Sequence, residues 1–134
     1  NGDGIGGGQM NTSLIIAQQT NNTSTNFAAR VCASYCIAAD GTTACTPAGS
    51  QGSSSTFGYS DWYLPSLSEL NQLWNVNSSL SLGGGTPLVT DVLYWSSTED
   101  ISSPTEYAWF QYDPGEQGSA HKLNTFAVRC IRAF

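Results

Sequence analysis

The few positively charged side chains of this sequence are concentrated near its C-terminal end, where they predict a binding site for a polyanion. Four of the five residues that can carry a positive charge lie within the last 14 positions. These four are His121, Lys122, Arg129 and Arg132, and the fifth is Arg30. A cationic cluster can bind sulfate or phosphate groups with release of condensed counterions, as in nucleic-acid recognition. The candidate chemistry is therefore local and salt-sensitive anion binding.

Each of these cations also has a structural interpretation. Lys122 lies in a polar strand or loop and is the best ligand candidate, because loops tend to carry function. His121 beside it adds a positive charge only in mildly acidic solution. Arg129 falls in a predicted central strand, where pairing with a buried carboxylate is more typical. Arg132 fits either role, and Arg30 fits the solvated face of a helix.

The four cysteines, Cys32, Cys36, Cys45 and Cys130, predict disulfides rather than a zinc site. Their first spacing is C-x3-C, and the single histidine is far from them, which disfavours zinc. Four cysteines permit three pairings. Since Cys32 and Cys36 are four apart on a predicted helix, they point the same way and should each reach a different element. We expect Cys32–Cys130 and Cys36–Cys45, with the other pairings left open.

Composition restricts the function further. Ten acidic residues against four Lys and Arg give a net charge of −6, which argues against a nucleic-acid partner. Charged residues make up only 10 % of the chain, and hydroxyl and amide side chains supply its polarity instead, which favours an extracellular protein. No apolar run is long enough for membrane insertion. We interpret residues 1–8 as a glycine-rich linker from an upstream stalk and residues 9–134 as a single ligand-binding domain.

Enzyme and cofactor motifs are weak, so we predict neither an enzyme nor a cofactor. Gly2, Gly4 and Gly7 match G-x-G-x-x-G, but no strand precedes them. A single histidine and the lack of G-x-S-x-G disfavour a serine hydrolase. The DPGEQ string at 113–117 offers oxygen ligands for calcium but is equally typical of a surface turn. No metal site is predicted.

Three tryptophans, Trp62, Trp95 and Trp109, lie in strand-like strings. An exposed indole could stack on a sugar ring, but the area that tryptophan buries favours a core role for them. Asp61, beside Trp62, is more typical of a turn or capping hydrogen bond than of chemistry.

The N-terminal half predicts two helices that would position these residues. The apolar and β-branched stretch at 10–19 predicts a short strand or turn. A stripe of apolar residues predicts the first helix over 26–38. Ser66 and Glu69 form a capping box that starts the second helix.

The C-terminal half predicts a sheet. Alternating and β-branched strings separated by proline-containing turns indicate strands at 92–98, 106–112, around 117–123, and 125–134. Two helices followed by an antiparallel sheet give an α+β fold.

Several strings, in this order and spacing, resemble one bacterial family. They are IGGGQMNTSLII at 5–16, AARVC at 28–32, GYSDWYLPSLSEL at 58–70, YWSSTE at 94–99, YAWFQY at 107–112 and VRCIRAF at 128–134. The sequence resembles the C-terminal domain family of the Legionella collagen-like adhesins.

This resemblance implies a C-type-lectin-like fold of two helices packed on a twisted antiparallel sheet. It also implies a homotrimer at the end of a collagen-like stalk, on the bacterial surface or associated with the outer membrane. The implied partner is a sulfated glycosaminoglycan of the host surface, such as a heparin-like or chondroitin-sulfate-like chain. Two alternatives are a trimerisation or folding cap without a ligand, and an enzyme on a lectin-like scaffold.

Overall fold

The computed structural model describes residues 1–19, 27–45, 58–82 and 86–133. The described residues form four helices, a two-stranded sheet and a three-stranded sheet. The helices are α1 (Gly7–Gln18), α2 (Ala28–Ala33), α3 (Leu67–Asn75) and α4 (Asn77–Leu82). The strands are β1 (Ile37–Ala38), β2 (Gly58–Tyr59), β3 (Tyr94–Glu99), β4 (Tyr107–Asp113) and β5 (Glu116–His121). This mixture of helices and antiparallel sheets is the expected α+β class, although with more than the two helices predicted.

Helix α3 begins where the capping box predicts. The Ser66 hydroxyl accepts from the Glu69 N–H at 3.2 Å, and the Glu69 carboxylate accepts from the Ser66 N–H at 2.8 Å. Asp3 adds a second cap, because its carboxylate accepts from the Ser68 N–H at 2.7 Å. Leu70 and Trp74 on the buried side of α3 pack into the core with Leu88 and Tyr94.

Helix α1 corrects the prediction of a strand or turn at 10–19. Its β-branched residues favour a strand locally, but tertiary contacts override that preference. The side-chain NH2 group of Asn11 donates to Gly2 O at 2.6 Å and to the Ser97 hydroxyl at 3.2 Å. It therefore joins α1 to the N-terminal segment and to β3. The Thr12 hydroxyl accepts from the Leu64 N–H at 3.0 Å. Both polar side chains are buried, and they fix the helix against the rest of the domain.

The segment at residues 1–8, expected to be a linker, packs against α3 in the structure. Gly4 O accepts from the Ser66 hydroxyl at 2.7 Å, and Gly7 and Gly8 already belong to α1. Gly8 is closely surrounded, since a Cβ there would lie 2.7 Å from Leu64 O. The existence of an upstream stalk stays a prediction.

Helix α2 is shorter than the predicted span of 26–38, of which residue 26 lies outside the described part. It ends at Ala33, and the chain turns into β1 at Ile37. The two expected disulfides are confirmed: Cys32 is bonded to Cys130, and Cys36 to Cys45. The second disulfide holds the chain just after α2, where a longer helix was expected.

The three-stranded antiparallel sheet has the order β3-β4-β5 and confirms three of the predicted strands. Strands β4 and β5 are joined by a tight turn at Pro114-Gly115, where Gly115 adopts a φ of 78°. Opposite Phe110 in this pair lies Gly118. A Cβ at Gly118 would come within 2.8 Å of the Phe110 ring, so the glycine makes room for the ring.

The predicted last strand at 125–134 is wrong. This segment makes two isolated bridges instead, Tyr94 with Ala127 and Tyr63 with Ile131. It therefore crosses between β3 and the stretch before α3 rather than joining one sheet edge. A second core cluster forms beneath it, in which Cys32, Ala29 and Leu64 are buried.

Candidate functional site

Lys122, the leading ligand candidate, is held at the end of β5 by an ion pair. Its Nζ lies 2.6 Å from Glu99 Oε1 and also donates to Pro104 O at 2.7 Å. The backbone helps to position it, because the Lys122 N–H donates to Glu106 O at 2.8 Å. Lys122 and Glu99 are 23 positions apart in sequence, and the β3-β4-β5 sheet brings them together.

The Lys122–Glu99 pair is partly exposed to water. The side chains are 32 % and 16 % exposed, respectively. Burial alone would raise the pKa of Glu99, but hydrogen bonds from Lys122 and from the backbone nitrogen of Asn1 hold it below its usual value. Glu99 is therefore ionised near neutral pH, and the positive charge of Lys122 is locally compensated.

The two residues of this ion pair line a cleft of about 690 Å³. Clefts of this size are typical of small-ligand sites. Polar residues along it, including Gln18 and Asn124, add amide groups to the lining. The cleft thus combines an apolar wall with amides and one ion pair, a set of groups that suits a hydroxyl-rich ligand.

Two aromatic side chains, Trp95 and Phe126, line the apolar wall of the cleft. The ring centroids of Trp95 and Phe126 are 4.4 Å apart, and Phe110 packs edge-on against Phe126 at 5.3 Å. Trp95 is buried, which confirms the core role predicted for it. Trp62 and Trp109 are half-buried.

His121 faces a ring rather than a carboxylate. It packs edge-on against Tyr107 at 5.4 Å, and its Nδ1 accepts from the Leu123 N–H at 3.2 Å. This histidine is therefore next to Lys122 in sequence, but its imidazole is engaged by other partners.

The two C-terminal arginines have separate environments. Arg129 was expected to pair with a buried carboxylate, but within the described residues it forms no ion pair and donates to Thr86 O instead. Arg132 lies next to Asp61, with Nε 2.9 Å from Oδ1 and an Nη 3.0 Å from Oδ2. Its guanidinium also lies over the Tyr59 ring at 4.1 Å.

The structure thus distributes the four predicted ligand residues over different neighbours. Lys122 and Arg132 each face a carboxylate, and His121 and Arg129 contact neutral groups. Their described contacts include no shared partner. Sequence reasoning missed Glu99 as a partner and expected a turn or cap role for Asp61, because both pairs join segments that only the tertiary fold brings together.

Arg30, expected on a solvated face, is half-buried and lies 5.2 Å from the Phe27 ring centroid. Within the described residues no group of three or more His, Cys, Asp or Glu side chains could hold a metal ion. None of the described helices is long and apolar enough to cross a membrane. At the predicted 113–117 turn, the Tyr112 hydroxyl donates to Glu116 at 3.4 Å.

The sequence matches the model of one known family. The family model of the Lcl C-terminal domain matches residues 10–132, which is nearly the whole chain. The chain therefore belongs to the Lcl C-terminal domain family. No curated protein and no solved structure gives a significant match. Family membership indicates an adhesin-related C-terminal domain, and the two disulfides are compatible with an extracellular protein.

Proposed function

We propose that this member of the Lcl C-terminal domain family is the binding domain of a bacterial surface adhesin and attaches to sulfated polysaccharide. It acts by binding rather than by catalysis, as a homotrimer with a C-type-lectin-like architecture, at the end of a collagen-like stalk. The observation that carries the proposal is the position of Lys122 in the lining of the cleft. Family membership and the uncharged polar composition support the same conclusion.

A sulfate group would approach Lys122 in competition with Glu99. An ammonium group has three N–H donors, and two of those on Lys122 are directed to Glu99 and Pro104. One donor is then left for a sulfate oxygen. A partly exposed ion pair stabilises a protein by only about 0–1 kcal/mol, so a polyanion can compete with Glu99. Binding through one such site is expected to be weak.

Weak single sites make an oligomer useful. Three linked copies would convert later binding steps into intramolecular ones and raise the overall affinity for a long polysaccharide.

An apolar surface on α1 supports assembly. Met10 and Leu14, four positions apart on one face of the helix, are 64 % and 44 % exposed. We propose that this face packs against neighbouring copies.

Heparin binding tests the proposal. Elution of the full chain from immobilised heparin is measured over a salt series, together with Lys122→Ala and Glu99→Gln. We expect Lys122→Ala to weaken binding and to reduce the salt slope by about one. Glu99→Gln should strengthen binding, because it removes the competing carboxylate.

Two control variants match these charge changes at other positions. Arg30→Ala removes one positive charge from α2, and Glu116→Gln removes one negative charge from β5. Both should shift heparin elution less than their counterparts at the cleft. The proposal fails if the wild-type chain does not bind heparin at low salt, or if Lys122→Ala elutes with the wild type.

The homotrimer is tested separately by light scattering. The wild-type chain should scatter as a trimer, whereas Met10→Ser with Leu14→Ser should dissociate it. A monomeric wild-type chain would overturn the trimer. A trimer that does not bind heparin would instead favour the alternative of a trimerisation cap without a ligand.

A further inference from the structure

We propose that the surface formed by Tyr35, Tyr59 and Trp62 binds a pyranose ring of a neutral, β-linked polysaccharide. We refer to these three residues as the aromatic platform. None of them lines the cleft beside Lys122, so this site is separate from the one in the proposed function and does not rest on it.

The aromatic platform is unusual in its exposure. Among the described residues, three aromatic side chains are exposed, and they are Tyr35 at 43 %, Tyr59 at 42 % and Tyr107 at 36 %. One of them, Tyr35, packs edge-on against Trp62, and the backbone carbonyl of Tyr59 accepts from the Trp62 indole N–H. The other described aromatic rings are buried or half-buried, so the rings of Tyr35 and Tyr59 are unusually accessible to water. Tyrosine combines an apolar ring with a polar tip and is enriched at recognition surfaces for that reason.

Two of the three platform side chains, Trp62 and Tyr35, are held in place before any ligand arrives. The Trp62 indole N–H donates to Tyr59 O at 2.9 Å, which fixes the plane of the indole. Tyr35 packs edge-on against Trp62, with centroids 5.3 Å apart and planes at 80°. Tyr35 also directly precedes Cys36, which is held in a disulfide. Little side-chain entropy is left to lose on binding, which favours affinity.

Charged groups of opposite sign border the platform. The carboxylate of Asp61 faces Arg132 at 2.9 Å, and the Asp61 side chain is 48 % exposed. The hydrogen bond from Arg132 holds the pKa of Asp61 below its usual value, so the carboxylate is a charged acceptor at neutral pH. The Arg132 guanidinium lies over the Tyr59 ring, 4.1 Å from its centroid.

These groups match the chemistry of a pyranose. The axial C–H bonds of a β-linked hexose present a weakly positive face, which is attracted to the negative face of an aromatic ring. Hydroxyl groups at the rim of the sugar can donate to the Asp61 carboxylate, and such charge-assisted hydrogen bonds are strong. Because Asp61 and Arg132 compensate each other, the site favours an uncharged sugar. A sulfate ester here would meet the Asp61 carboxylate.

Oligosaccharide titration of the isotope-labelled full chain tests the site. The probes are neutral β-linked hexaoses (cellohexaose, laminarihexaose and chitohexaose) and, as the sulfated arm, a heparin hexasaccharide. We expect the indole N–H signal of Trp62 to shift with at least one neutral hexaose, and the affinity to be nearly constant between about 50 and 200 mM salt. The proposal is wrong if no neutral hexaose shifts this signal, or if only the heparin hexasaccharide does.

Variants locate the binding energy. Tyr59→Ala and Tyr35→Ala should each weaken hexaose binding by about tenfold, because each removes an aromatic face. Tyr59→Phe keeps the ring and should retain binding. Tyr107→Ala, at an exposed tyrosine outside the platform, is the control and should bind normally.

Wild-type affinity in both alanine variants would overturn the assignment. Melting curves establish that each variant is folded, and the Trp62 signal of the wild-type chain decides the question if an alanine variant unfolds. Heparin binding is measured on the same samples. Failure of the wild-type chain to bind heparin would contradict the proposed function but would leave the assignment of the aromatic platform unchanged.

Discussion

The carboxylate of Glu69 accepts a hydrogen bond from the backbone N–H of Gly8 at 3.2 Å and joins the first turn of α1 to the first turn of α3. The same carboxylate accepts from Gly6 N and Ser66 N, both at 2.8 Å, and from the Tyr63 hydroxyl at 3.3 Å. Glu69 is thus a buried acceptor for four donors. It connects the N-terminal segment, the stretch before α3 and the start of α3 itself.

Replacing Glu69 by glutamine should destabilise the domain. One oxygen becomes an NH2 group that faces backbone N–H donors, so at least one buried donor loses its acceptor. We expect Glu69→Gln to lower the free energy of unfolding by about 1–3 kcal/mol, measured by urea denaturation at neutral pH. The matched exchange Glu116→Gln, at an exposed position, should have little effect. Equal stability of both variants would show that the Glu69 carboxylate does not hold these segments together.

Glu99 should contribute stability that depends on pH. Its folded-state pKa lies below the ordinary value of 4.5, mainly through its hydrogen bonds to Lys122 and Asn1, which outweigh the opposing effect of burial. A carboxylate of this kind stabilises the folded chain above its unfolded pKa, and this stabilisation is lost as the pH falls through the folded pKa. The stability difference between wild type and Glu99→Gln should therefore be largest near about pH 7 and shrink below about pH 4.

Thermal denaturation of the wild type and Glu99→Gln across this pH range measures the difference. Glu106 is exposed and lies just before β4. Glu106→Gln therefore provides the comparison for a change in net charge alone. A difference for Glu99→Gln that stays constant down to acidic pH would contradict the expected linkage.

The two disulfides should differ in their effect on stability. Cys32–Cys130 joins positions 98 apart, whereas Cys36–Cys45 joins positions 9 apart. In the chain-entropy model the longer loop is worth about 4–5 kcal/mol and the shorter about 2–3 kcal/mol. Urea denaturation of the two double alanine variants measures both values. A larger loss from removing Cys36–Cys45 would contradict the prediction.

The features predicted correctly depend on neighbouring residues. Ser66 and Glu69 are three apart, and their capping box needs no distant partner. The spacing of Cys32 and Cys36 made it improbable that they bond to each other, which favoured the pairing that the structure contains. The Pro114-Gly115 turn likewise carries its own conformational preference. Local chemistry therefore predicted α3 and the β4-β5 hairpin, and it disfavoured one of the three possible cysteine pairings.

The features missed depend on partners far along the chain. Helix α1 is held by Asn11, whose partner Ser97 lies 86 positions away, and no periodicity in residues 10–19 indicates that contact. The carboxylate partners of Lys122 and Arg132 were missed for the same reason. Arg132 meets Asp61 across 71 positions, and Lys122 meets Glu99 across the sheet.

The Cys32–Cys130 bond has a consequence for how this domain withstands digestion. Residues 32 to 130 form a covalent ring. A protease that cuts once anywhere inside this ring opens it but releases no fragment, and the two pieces stay attached until the sulfur link is reduced. Release of a fragment from this ring therefore requires at least two cuts, or one cut together with reduction of the disulfide.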